Sequence, residues 1–168
     1  LVRADLIITT GGVSAGAYDT VKAVLSQLGT VEFTSIAMQP GMPQGYGTLG
    51  ETPIFTLPGN PVSAYVSFEV FVRPVLRRFL GYNELFRPMV EARVTNAFDS
   101  PAAKRQYARG QLAYQNGDWT FHPSMSQGSH QVGVLAHANA IAVVPEEVEH
   151  VPANSTVTVM RLDTDHGA

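Results

Sequence analysis

The chain contains no cysteine, which excludes disulfide cross-links and thiolate metal sites and leaves any metal to oxygen or imidazole ligands. No apolar run approaches the roughly 20 residues that a membrane-spanning helix needs, and no basic segment followed by an apolar one opens the sequence. Charge is sparse, at 15% of residues, and sums to −3, so the chain lacks the positive excess of a general nucleic-acid binder. His122, His130, His137, His150 and His166 have no i, i+4 or metal-type spacing, which argues against an imidazole metal site. Repeats and low-complexity tracts are missing as well. What remains is a hydrophobic content of 45% over 168 residues, enough to bury a core in one ordinary domain or two small ones. A globular chain with a cytoplasmic location is the default expectation. Leu1 stands where an initiator methionine would be, a few residues before a strand-like run, so a piece of a longer protein is expected.

Two textures divide the sequence. Residues 1–82 alternate strand and helix signals: a strand over 6–10, a Gly-rich turn, a helix from about 19 to 28 with Val21, Val24, Leu25 and Leu28 as its apolar stripe, and a strand over 31–38. Residues 39–47 are too rich in proline and glycine for regular structure. A strand over 53–57 and a helix from 61 to about 80 follow, with Pro74 expected to kink or break that helix. Strands alternating with helices predict an α/β domain with a parallel sheet, whose ligands sit at the strand carboxyl ends. From residue 86 to 168 the pattern changes to short β runs at 89–94, 109–115, 119–123, 140–145 and 155–162. Asn116-Gly117-Asp118 marks a hairpin and Pro152-Ala153-Asn154 a second turn. A small all-β, barrel-like domain is the simplest expectation, joined to the first half at residues 81–84.

Two turns carry the candidate chemistry. Leu57-Pro58-Gly59-Asn60-Pro61-Val62-Ser63 leaves a strand and opens a helix, with Asn60 at the N-cap and Pro61 at the first helical position. The unpaired N–H groups and dipole of such a start favour a phosphate or another oxyanion. Thr9-Thr10-Gly11-Gly12-Val13-Ser14-Ala15-Gly16 leaves the first strand, and its glycines let backbone amides approach a ligand closely; a Gly-Gly turn is also an ordinary way to leave a sheet. In one parallel sheet the two turns converge on one edge. Thr10, Ser14 and Ser63 offer hydroxyls there, with turn capping as the plain alternative. Asp19 is the nearest carboxylate: locally a helix cap, or else a Mg²⁺ ligand or general acid/base beside bound phosphate. Met38, Met42 and Tyr46 are expected to be core before they are a ligand wall. Arg73, Arg77 and Arg78 read as a solvated helix face, as do Lys104, Arg105 and Arg109 as a loop charge run.

Taken together, these turns, their order and their separation resemble the molybdopterin molybdenumtransferases, the MoeA and gephyrin E-domain family. The likeness is carried by Asp5 to Ser14, Gly16, Asp19, Pro40-Gly41 with Pro43, Leu57 to Ala64, Arg73-Pro74, Gln127-Gly128-Ser129-His130 and Ala138-Asn139-Ala140, and so spans nearly the whole chain. The resemblance implies that residues 1–82 are part of a MogA/MoaB-like molybdopterin-binding α/β domain lacking its opening units, and residues 86–168 a C-terminal β-barrel-like domain. The activity it implies is insertion of molybdenum from molybdate into adenylylated molybdopterin, with Mg²⁺ and release of AMP. Asp19 would then be the catalytic and metal-coordinating carboxylate. Thr10, Gly11, Gly12, Ser14, Pro58, Gly59, Asn60, Pro61, Ser63 and, from the last domain, Ser129 would bind or shape the site for the pterin phosphate. A homodimer formed through the absent domains and hand-over from the molybdopterin adenylyltransferase are implied partners, with no nucleic acid and no membrane.

The chain departs from that pattern where many relatives carry lysines and it has Ser35, Gln39 and Met42, so another group must supply positive charge for an oxyanion. Two rival readings stand beside the first: a molybdopterin adenylyltransferase, and a non-catalytic scaffold or binding module of the gephyrin type.

Overall fold

The computed structural model describes residues 4–13, 20–124 and 132–163. In the first half, β1 (Ile7–Thr10) is followed by α1 (Thr20–Leu28), β2 (Glu32–Ser35), β3 (Met38–Gln39), β4 (Pro43–Leu49) and β5 (Thr52–Leu57). Four of these strands form a sheet in the order β1-β5-β4-β2. β1 and β5 are parallel, whereas β4 runs antiparallel to both β5 and β2. The sheet is therefore mixed, which corrects the expectation of a parallel one.

The reason lies in the Pro/Gly-rich stretch, which is a strand and not a loop. A side chain at Gly45 would collide with the Thr56 hydroxyl and the Phe33 ring on the flanking strands, so glycine there permits close strand packing. Pro43 stands at the first position of β4, where a missing N–H is tolerated. The expected strand over 31–38 is divided: β2 stays in this sheet and β3 leaves it. Leu25, Val31 and Ile54 form the local core. Val24 and Leu28, expected in the same stripe, are 45% and 66% exposed, so α1 buries a narrower face than its sequence implies.

The long helix is three segments: α2 (Pro61–Ser67), a π-helical turn (Phe68–Val72) and α3 (Arg73–Phe79). The Arg73 amide reaches back to the Phe68 carbonyl, five residues earlier. This widened turn delivers Pro74 into the first turn of α3, where it disrupts least.

The second half comprises β6 (Met89–Val94), β7 (Phe98–Asp99), β8 (Arg105–Gln115), β9 (Asp118–Pro123), α4 (Val132–His137), β10 (Ala140–Val144), β11 (His150–Val151) and β12 (Thr156–Arg161). Pairings run β10-β12-β6-β9-β8, and β8 pairs again with β10, closing a five-stranded barrel. The β8–β9 hairpin turns at Asn116 and Gly117, both with positive φ (54° and 91°), as a type I′ turn requires. Ala92, Val94, Ala108, Phe121, Ala142 and Val159 pack its interior. Three elements of this half escaped the sequence reading, the paired β7 and β11 and the helix α4, since two-residue strands and a six-residue helix give too little periodicity.

The halves are sewn together by β3, which pairs parallel with β8 (Met38↔Arg105, Gln39↔Gln106). Beside it, Met38, Val66, Tyr107 and Ile141 form a shared apolar seam. Met38 is thus core, 2% exposed.

Candidate functional site

β1 and β5 end level with one another, Thr10 opposite Leu57, so both following turns emerge from the same sheet edge. The Gly11 amide donates to the Leu57 carbonyl at 2.9 Å and carries the pairing one residue further. Gly11 and Gly12 then adopt φ of 85° and 75°, a left-handed path that side chains resist. Opposite them, a Cβ on Gly59 would lie 3.1 Å from the Gly11 Cα, so the turns meet backbone against backbone. This is the close approach that the sequence predicted by convergence.

The start of α2 differs from a bare anion site. Asn60 has extended backbone (φ −69°, ψ 125°), and its Oδ1 accepts the Val62 amide at 3.1 Å and the Ser63 amide at 3.3 Å. Two of the donors expected to face an oxyanion are therefore already capped. The dipole of the helix start remains, beside the left-handed path of Gly11 and Gly12, of which the Gly11 amide is already given to Leu57. Pro58 is buried, Pro61 and Gly59 are exposed, Thr10 is exposed, and Ser63 is buried in the first turn of α2. Ser14, Asp19 and Ser129 lie outside the described residues, as do Gly16 and Gln127, Gly128 and His130. Among the described residues, no three His, Asp or Glu side chains group so as to hold a metal ion.

Ser35, Gln39 and Met42, the positions that lack the expected lysines, are all exposed along the β2-to-β4 path. This path is fixed from beneath by Gln44, which is buried; its Nε2 donates to the Gly41 carbonyl at 2.6 Å and to Ser67 Oγ at 2.5 Å. The turn bearing Pro40 and Gly41 is thereby pinned to the same helix that Asn60 caps.

The basic residues correct the sequence reading. Arg109 is fully buried, not part of a solvated run. It stands opposite Ile141 in the β8–β10 register, and paired residues share a face of the sheet. Ile141 belongs to the seam with Val66 of α2, so the Arg109 side of β8 faces the first half and not the barrel interior. Burial pulls the Arg109 pKa down, yet a guanidinium starts so high that it stays charged at neutral pH. A cation thus sits on the barrel face turned toward α2. Nothing in the sequence marked it; β8 buries Gln106 through Gly110 without a break, as a strand covered on both faces does. Arg105, by contrast, is half exposed and pairs with Glu146 at 3.1 Å. Arg73 and Arg77 are also buried, while Arg78 is exposed.

Comparison with known proteins agrees with this arrangement. Residues 1–78 match the family described as "Probable molybdopterin binding domain", and residues 91–162 match "MoeA C-terminal region (domain IV)". The chain is 48% identical over 167 residues to molybdopterin molybdenumtransferase 2 of Mycobacterium tuberculosis, covering 96% of this chain and 41% of that protein. It is 35% identical to the molybdopterin molybdenumtransferase of Haemophilus influenzae, covering 94% of this chain and 39% of that one. Gephyrin of Dictyostelium discoideum is 32% identical over 184 residues, covering 95% of this chain and 26% of that protein. A solved molybdopterin biosynthesis MoeA protein from Pyrococcus horikosii superposes with a TM-score of 0.75 at 28% identity, over 95% of this chain and 38% of that one. With both domain types in the same order and about two fifths of those relatives' length spanned, the chain belongs to the MoeA family of molybdopterin molybdenumtransferases.

Proposed function

We propose that the protein to which these 168 residues belong works in molybdenum cofactor biosynthesis, inserting molybdenum from molybdate into adenylylated molybdopterin with release of AMP. The observation that carries this reading is the contact of the Gly11–Gly12 and Pro58–Gly59 turns at the carboxyl end of a parallel strand pair. Backbone brought this close, beside a helix start, leaves room for a phosphate but not for side chains.

Asp19 alone carries the expectation of Mg²⁺ and lies outside the described residues, so no step is routed through the metal. Ser14 and Ser129 are proposed as further hydroxyls toward the pterin phosphate. A homodimer, hand-over from the adenylyltransferase and a cytoplasmic location belong to the same proposal and rest on family likeness.

Equilibrium titration of the full-length protein with adenylylated molybdopterin tests it. Binding is expected, and Gly59→Ala is expected to weaken it, because the added methyl would lie 3.1 Å from the Gly11 Cα and the two turns must shift to admit it. No binding by the unaltered protein, or unchanged affinity in a folded Gly59→Ala variant, would sink the reading. ATP-dependent adenylylation of molybdopterin would favour the adenylyltransferase instead. Capture of a peptide partner, together with molybdenum insertion unaffected by Asp19→Asn, would favour a scaffold.

A further inference from the structure

Four residues form one row across the first sheet: Thr9 lies opposite Thr56, Thr56 opposite Gly45, and Gly45 opposite Phe33. Residues paired in this way share a face. Phe33 packs with Leu25 of α1, and Ile54, two residues before Thr56, belongs to the same cluster, so the row faces α1. Thr10 and Leu57 come next on β1 and β5, after which the Gly11 amide bonds the Leu57 carbonyl. The row therefore lies just beneath the Gly11 and Gly59 turns.

Its members are closely joined. A Cβ at Gly45 would collide with the Thr56 hydroxyl and stand 2.9 Å from the Phe33 ring, so the ring leans across the glycine toward that hydroxyl. Lys22 completes the group from α1, its Nζ 5.5 Å from the centre of the same ring. Thr56 is fully buried, and the hydroxyls of Thr9 and Thr56 have no hydrogen-bond partner among the described residues. Buried hydroxyls are nearly always satisfied, so two together without a partner call for an acceptor.

Helix stability does not explain a lysine at position 22. It is the third residue of α1, in a first turn, where the helix dipole disfavours positive charge. It is exposed, and no described carboxylate forms an ion pair with it. Glu32, adjacent to Phe33, sits on the opposite face of β2 and accepts the Tyr46 hydroxyl at 3.1 Å. Every other described cation of the first half, Arg73, Arg77 and Arg78, stands on α3. Leu76 and Phe79 of that helix line a cavity with Asp5 and Thr52, at the opposite edge of the sheet. Within the first half, the edge that bears the glycine turns has Lys22 as its described cation, propped over the sheet by an aromatic face.

Resting on the function proposed above, we infer that Lys22 is a substrate-binding residue of this site. Its ammonium takes a tetrahedral oxyanion over the row, with the Thr9 and Thr56 hydroxyls as neutral donors beneath. That oxyanion is a phosphate of adenylylated molybdopterin or molybdate itself, because both present the same charged oxygens. A compact point charge on a flexible stem suits either. Ser35, two residues beyond Phe33 on the same face and opposite Pro43, gives a second position from which a lysine would reach the same space.

Equilibrium titrations of the full-length protein at constant ionic strength, one with molybdate alone and one with adenylylated molybdopterin alone, test the inference. Lys22→Met keeps an apolar stem on Phe33 without the charge and is expected to weaken one or both about tenfold, at an unchanged melting midpoint. The ligand that loses affinity identifies the oxyanion. Lys22→Arg is expected to retain binding, and Ser35→Lys to restore it in the Lys22→Met background. Arg78→Met removes an exposed cation from the helix at the opposite edge and is expected to change neither affinity. Should Lys22→Met not fold, Lys22→Gln carries the same expectation. Unchanged affinity for both ligands without the Lys22 charge overturns the inference, as does an equal loss in Arg78→Met or a loss that neither Lys22→Arg nor Ser35→Lys repairs. If the unaltered protein fails to bind adenylylated molybdopterin while its molybdate affinity depends on Lys22, the functional reading falls and this inference stands.

Discussion

Asn60 shows how a residue can fulfil a sequence expectation and change its meaning. Its place at the N-cap was legible from Pro61 behind it and the apolar repeat beyond, yet its side-chain oxygen takes the two amides that a bare helix start would offer an anion. Capping and ligand binding can be separated by substitution. Asn60→Ala is expected to cost about 1 kcal/mol of stability in urea denaturation, since both amides lose their acceptor. Asn60→Asp should keep the cap and the stability but weaken binding of a phosphate ligand, by putting negative charge where the oxyanion is proposed to sit. Arg109 is the opposite case. In sequence it is one of several arginines and lysines near a loop; only strand pairing opposite Ile141 reveals it as buried.

Among the elements, β4 and the π turn were the least legible. Proline and glycine at 40–47 are loop signals in isolation, because their backbone preferences are local. Here Gly45 serves neighbours that are distant in sequence, Phe33 and Thr56, and no local pattern encodes that need. Gln44 closes the arrangement by bonding Gly41 and Ser67. Gln44→Leu, of similar size but without donors, leaves the Gly41 carbonyl and the Ser67 hydroxyl without that partner in a buried place. A loss of about 1–3 kcal/mol is expected, measured by chemical denaturation, with Gln44→Glu no better. A loss below a few tenths would mean that the turn is held by β3–β8 pairing alone. The helix from 61 to 79 was foreseen in extent but not in form, because a π turn depends on which side chains the surroundings demand, in this case Glu69, whose carboxylate meets Arg87 at 2.9 Å.

Across the whole molecule, the seam between the halves combines one strand pairing, one apolar cluster and one ion-pair group. Two tyrosines border it. Burial raises the pKa of Tyr107, and burial followed by the Glu69 charge raises that of Tyr65. The sign follows directly: a raised folded-state pKa favours the protonated phenol, so this stability is complete below the unfolded value near 10 and is lost as pH climbs through the folded value. Unfolding midpoints are therefore expected to fall between pH 9 and about 11, and Tyr107→Phe should flatten that decline. An equally steep decline in the variant would place the titrating group elsewhere. Among the described residues β1 lies at the edge of its sheet, and Ile8 upon it is 41% exposed.

What the sequence determined by itself was whatever depends on near neighbours. The longer strands other than β4, the two longer helical stretches, the type I′ hairpin, the cap at Asn60 and the two glycine turns follow from spacing and backbone preference within a few residues. The family likeness follows from the order of those motifs. Tertiary structure alone decided which strand returned antiparallel, how β3 joined the barrel, why Arg73, Arg77 and Arg109 are buried, and what Glu69 holds. Those outcomes rest on contacts between residues tens of positions apart, whose burial and pairing are properties of both partners together and of neither sequence segment alone.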